Sequence, residues 1–172
     1  MSNEAQKEFI SNAKKEVQQR INTENKAIIE LNKEKTELIE AIRGYDAYNK
    51  ELKRLFIECM QNFTVTEEDL PKYFKSNISE SYENYVQIRL DAIEEINTLK
   101  KYISHCKREI NNNKRKLKFY KSQYLDSDFF EECLPLVELY QQKIDLYKEN
   151  IQLTEKTIEQ LLKIVKKLKN WK

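Results

Sequence analysis

The chain has 172 residues, 40% hydrophobic and 35% charged, and its 31 basic and 29 acidic residues leave a net charge of +2. A balance this near zero excludes a global polyelectrolyte built to coat nucleic acid or an anionic membrane. One Gly and two Pro, against about a dozen and roughly nine at average usage, leave too few turn formers for a sheet or a multi-loop fold. The expectation is an all-α chain: a single domain, 1–172, folded as an elongated antiparallel coiled-coil bundle of three long helices.

The first helix is expected over about 3–63, where no proline occurs and only Gly44 interrupts. Stepping by seven from Ile10 gives Val17, Glu24, Leu31, Leu38, Tyr45, Leu52 and Cys59; the companion positions are Lys14, Ile21, Ile28, Lys35, Ile42, Asn49, Phe56 and Phe63. This heptad is broken at Lys14, Glu24, Lys35 and Asn49, and polar residues in a seam set register or oligomer state at some cost in stability.

Residues 64–78, TVTEEDLPKYFKSNI, lose the period and form the linker. Thr66 with Asp69 suits a short turn, Pro71 is read as stopping propagation, and Ser76, Asn77 and Ser79 are candidate N-caps. The second helix, about 79–125, has the seam Ile96, Leu99, Ile103, Cys106, Ile110, Asn113, Leu117, Tyr120 and Tyr124, with Asn113 read as a register pin. Asp126, Ser127 and Asp128 make the next turn, and Asp128 with Glu131 forms a capping box. The third helix, about 129–171, carries Phe130, Val137, Ile144, Ile151, Ile158 and Val165 along one line and Cys133, Tyr140, Tyr147, Thr154, Leu161 and Leu168 along the other. Pro135 in its second turn is a candidate kink.

Folding the second helix back on the third about residue 127 makes facing residue numbers add to 254. Ile96 then meets Ile158, Ile103 meets Ile151, Ile110 meets Ile144, Leu117 meets Val137 and Tyr124 meets Phe130. Short connections favour antiparallel neighbours. Charge agrees: 100–121 is net +8 and lies against 126–149 at net −5, while 79–99 at net −4 lies against 155–172 at net +4. The basic stretch KREINNNKRKLKFYK (107–121) is therefore expected to be neutralised by the third helix.

A first helix of about 60 residues is ~90 Å long, against ~68 Å for partners of about 45 residues. Its first turns overhang, and Phe9, Ile10 and Val17 find nothing within the chain to pack on, unless a kink at Gly44 folds the helix back. Exposed apolar stripes of this kind call for a partner. The linker aromatics Tyr73 and Phe74 form a second candidate docking surface.

Catalytic chemistry finds no foothold. His105 and Cys106 are adjacent on a helix and point ~100° apart. The three cysteines sit at different levels without CxxC or ExxH spacing, which excludes a joint metal site. Gly44 alone builds no phosphate loop. No enzyme activity, cofactor or metal is expected. The expected function is protein–protein interaction, as a coiled-coil scaffold, assembly factor, adaptor or chaperone presenting the first helix and the 64–78 linker, with a second copy or a larger assembly as partner. Two alternatives are a nucleic-acid backbone held by Lys114, Arg115, Lys118 and Lys121, and a membrane surface met by Lys166, Lys167 and Trp171 of the tail LLKIVKKLKNWK. The start MSNEAQKEF lacks a basic segment leading into an apolar run, and no run approaches the ~20 residues of a membrane span. With unpaired cysteine spacing, this points to a cytoplasmic location, export by a leaderless route being the alternative.

Overall fold

The computed structural model describes residues 2–124 and 130–172. Its elements are α1 (Asn3–Phe63), a 3-10 turn (Glu67–Asp69), α2 (Leu70–Asn77), α3 (Ser79–Tyr124) and α4 (Phe130–Lys167), and the described residues contain no strand. The all-α bundle with three long helices is as expected, with one short helix added. The turn placed at 126–128 and the side chains of the Tyr124–Phe130 pair lie outside what is described.

Local chemistry explains the boundaries. α1 passes through Gly44 without interruption, and that glycine has no positive φ, so the alternative of a fold-back there is not realised. The helix ends in a left-handed residue, Thr64 (φ 51°), after which the Val65 amide donates to the Met60 carbonyl at 3.3 Å. That closure normally uses glycine at the left-handed position. Thr66 carbonyl then accepts from the Asp69 and Leu70 amides, both at 3.1 Å, and starts the next helix. Pro71 does not stop propagation: it occupies the first turn of α2, where its missing N–H has no intrahelical partner to lose. α4 ends at Lys167, short of the expected 171. The Lys169 amide bonds to the Lys166 carbonyl and the Trp171 amide to that of Leu168, a tightening that turns the last residues.

The chain forms two compact units, one of Met1–Thr36 with Ser104–Ile151, the other of Glu37–Ile103 with Gln152–Lys172. In the first, Val17, Tyr120, Cys133, Leu136, Val137 and Tyr140 form a buried cluster flanked by Ile21 and Leu117. Tyr120 stacks on Tyr140 with ring centroids 5.8 Å apart, and His105 meets Tyr147 edge-on at 6.3 Å. The numbers of these pairs add to 260 and 252, so α3 and α4 run antiparallel close to the expected register. α1 runs parallel to α4: Lys14 pairs with Glu132 at 3.4 Å, Glu24 with Lys143 at 2.6 Å and Lys35 with Glu149 at 2.7 Å, while Asn150 donates to the Leu31 carbonyl at 3.3 Å. Asn113 is fully buried but does not pin register, because its amide donates to the Glu109 carbonyl of its own helix.

In the second unit, Leu52, Phe56, Leu70, Phe74, Ile96, Leu161, Leu168 and Trp171 belong to one core. Asn49 donates to both the backbone and the side-chain oxygen of Gln160 at 3.0 Å. Trp171 is 2% exposed and stacks on Phe56 at 5.4 Å, meets Tyr85 edge-on at 4.9 Å and lies 5.2 Å from the Phe74 ring. The Tyr82 hydroxyl donates to the Lys172 carbonyl, holding the end of the chain beside this cluster. Truncation of a fully packed aromatic costs about 3–5 kcal/mol. Trp171→Ala is therefore expected to lower unfolding free energy by that amount in urea titration; a loss within the ordinary surface range of about 0.5 kcal/mol would show that the cluster contributes little.

Candidate interaction surfaces

At the N-terminal end of α1, residues 2–12 are all exposed, Phe9 at 68% and Ile10 at 48%. The overhang is shorter than expected. Val17 is 7% exposed and belongs to the cluster of Tyr120, Leu136 and Tyr140, so its expected role as a free contact is corrected. The reason is the parallel course of α4, which reaches α1 as early as Lys14 through Glu132.

The linker aromatics are corrected too. α2 lays Leu70, Pro71 and Phe74 inward, and Phe74 is 6% exposed. Tyr73 stacks on Phe63 with centroids 4.7 Å apart. In the tail, Trp171 is core, and Lys167 pairs with Glu67 at 2.9 Å; Lys166 stays exposed. An eight-residue helix has room for one apolar face, and here the core of its own unit takes it.

The basic stretch of α3 departs furthest from expectation. Lys107, Arg108, Lys114, Arg115, Lys118 and Lys121 are all exposed. None makes an ion pair among the described residues; the α4 acids Glu132 and Glu149 go instead to Lys14 and Lys35 of α1. Lys107, Lys114, Lys118 and Lys121 follow a spacing that keeps them within about 60° on the helix and spreads them over ~21 Å. Lys114, Leu117, Lys118, Lys121 and Ser122 line a shallow groove of about 450 Å³. Phe119, 52% exposed, meets the Tyr120 ring edge-on at 5.3 Å. Lys116 lies over the Tyr140 ring at 5.7 Å.

A cleft of about 540 Å³ opens in the second unit, lined on α1 by Ala41, Gly44, Tyr45 and Tyr48. α3 contributes Ile88, Asp91, Ala92 and Glu95, and α4 contributes Leu161 and Ile164. Sequence reasoning missed it, because a cleft is what three packed helices leave unfilled. The one signal was Gly44, a residue that weakens a helix interior and whose conformational freedom α1 does not use. A Cβ placed on Gly44 would meet nothing within 4 Å, so no close helix approach requires the glycine either. Burial raises the Tyr45 phenol above its ordinary pKa, with the Glu95 carboxylate adding to the effect, and burial pushes Tyr48 up to about 12.

Two of the three thiols, Cys59 and Cys133, sit where the protonated form is favoured. Burial raises Cys59 and Cys133 above the ordinary thiol value, and the neighbouring Glu58 and Glu132 carboxylates push the same way. An activated nucleophile needs the opposite shift. Among the described residues no three His, Cys, Asp or Glu side chains gather as a metal site, and no helix is long and apolar enough to cross a membrane. No protein-family model, curated protein or solved structure matches the chain.

Proposed function

We propose that this chain is a non-enzymatic helical interaction protein that presents the N-terminal end of α1 to a second copy of itself. The observation that carries the reading is the exposure of Phe9 and Ile10 on a helix whose next seam residue, Val17, is already buried. Ile10 and Ala13 continue the line of Val17, so the seam extends past the turns that the chain covers. An antiparallel pairing of two such ends, centred between residues 11 and 12, sets Ile10 against Ala13 of the second copy, the self-complementary arrangement an isologous contact requires. The contact is short, well below the ~1,200 Å² of a stable interface, so affinity is micromolar or weaker.

Sedimentation equilibrium of the full chain from micromolar to near-millimolar concentration checks this. Concentration-dependent dimerisation is expected, together with its loss in Phe9→Glu/Ile10→Glu. Those side chains leave no core, so unfolding free energy at low concentration should stay within about 0.5 kcal/mol. A chain that stays monomeric throughout, or a dimer indifferent to the double substitution, would overturn the reading.

A second reading follows from the basic flank of α3, which makes no ion pair among the described residues: the backbone of a single-stranded nucleic acid lies along Lys107, Lys114, Lys118 and Lys121, with Phe119 available for stacking. Four phosphate contacts give a log–log salt slope of about −3 for a single strand. Fluorescence anisotropy with a labelled oligonucleotide should give that slope, and Lys118→Glu/Lys121→Glu should weaken binding at low salt and flatten it. Affinity that is absent at low salt, or unchanged by the charge reversal, would contradict this reading.

A further inference from the structure

We infer that the Gly44 cleft is a binding site for a small organic cation with an apolar body, a reading independent of the α1 end. Its volume, about 540 Å³, falls within the range of ligand pockets, roughly 300–1,000 Å³. Its walls divide the work as such a ligand requires. Ile88, Leu161 and Ile164 supply aliphatic surface, and the small residues Ala41, Gly44 and Ala92 leave the space. The charged lining residues are Asp91 and Glu95, one turn apart on α3, and no lysine or arginine lines the cleft. Asp91 accepts a hydrogen bond from the Gln87 amide at 2.8 Å. Glu95 makes no ion pair or hydrogen bond among the described residues, so its carboxylate is open to a guest.

The aromatic wall points the same way. Tyr45 and Tyr48 set two rings beside the carboxylates, and aromatic faces attract cations that have shed water. The Tyr48 hydroxyl is buried with no hydrogen-bond partner among the described residues. A buried polar group left without a partner is costly, so a guest whose N–H reaches this oxygen supplies a hydrogen bond that the described residues do not. An anion meets two carboxylates and no compensating charge; a neutral apolar molecule leaves those carboxylates unused. A cation satisfies both walls at once.

Gly44 turns this into an experiment, because a side chain there grows into the cleft from a helix that gains propensity by the change. The probe is the 2-phenylethylammonium ion, titrated into the ¹⁵N-labelled full chain, with 2-phenylethanol and 3-phenylpropionate as neutral and anionic isosteres. Saturable shifts are expected at residues 41–48 and 88–95, with the cation bound about tenfold more tightly than the alcohol. Glu95→Gln should remove that preference, and Gly44→Leu should remove binding while helix content is kept. Phe9→Glu/Ile10→Glu should bind the probe as the parent chain does, which separates this site from the self-association surface. Three probes that bind alike, cation binding that survives Gly44→Leu in a folded chain, or shifts scattered over other acidic surfaces would overturn the assignment.

Discussion

The structure depends on the alignment of α1 along α4, and in the first unit that alignment is set by one buried ion pair. Glu24 and Lys143 meet at 2.6 Å with side chains 10% and 8% exposed. Apolar packing alone discriminates poorly between registers of a long seam, because a slip of seven residues replaces one Leu, Ile or Val with another. The pair does discriminate. A slip in one direction sets Lys143 against Val17 and Glu24 against Asn150; a slip in the other sets Lys143 against Leu31 and Glu24 against Leu136. Each leaves buried charge without its partner, at a cost of about 3–5 kcal/mol. The pair adds little net stability over an apolar substitute. Its effect is to make the wrong registers expensive.

The same alignment accounts for the surfaces that remain open. Lys14 and Lys35 of α1 take Glu132 and Glu149 of α4, and the basic flank of α3 is left without those acids. Parallel packing on α4 covers α1 only from about Lys14 onward, which exposes Phe9 and Ile10 and buries Val17. In the second unit, α1 presents a bare backbone at Gly44 where a side chain would have filled the space against Ala92 and Ile164. Each candidate surface is a place where α1 either lacks a neighbour, lacks a side chain, or has claimed a charge that α3 would otherwise share.

Much of this fold was legible because turn formers are so rare. The limits Asn3–Phe63 and the start at Ser79 follow from where glycine, proline and apolar periodicity fail, and the antiparallel register of α3 on α4 follows from matched seams. The four polar breaks of the α1 heptad were visible as breaks; that all four bond to α4 was not, because a sequence shows an interruption without its partner. α2 was hidden by Pro71, which reads as a terminator and serves as a first-turn residue. Charge blocks misled for a related reason: net charge along a helix says which helices attract, whereas ion pairs depend on which flank each side chain occupies. Phe74 and Trp171 looked like docking residues because one unit's core is assembled from a short helix and a chain end with little periodicity of their own.

The most direct test of this account is the charge-swap cycle at the register pair, followed by urea unfolding. Glu24→Lys alone and Lys143→Glu alone should each lose about 3–5 kcal/mol, since each buries two like charges at 2.6 Å spacing. The double swap restores opposite charges at the same alignment and should recover most of that loss. A double variant no more stable than the worse single would show that these side chains do not meet, and the parallel alignment of α1 on α4 would fall with them.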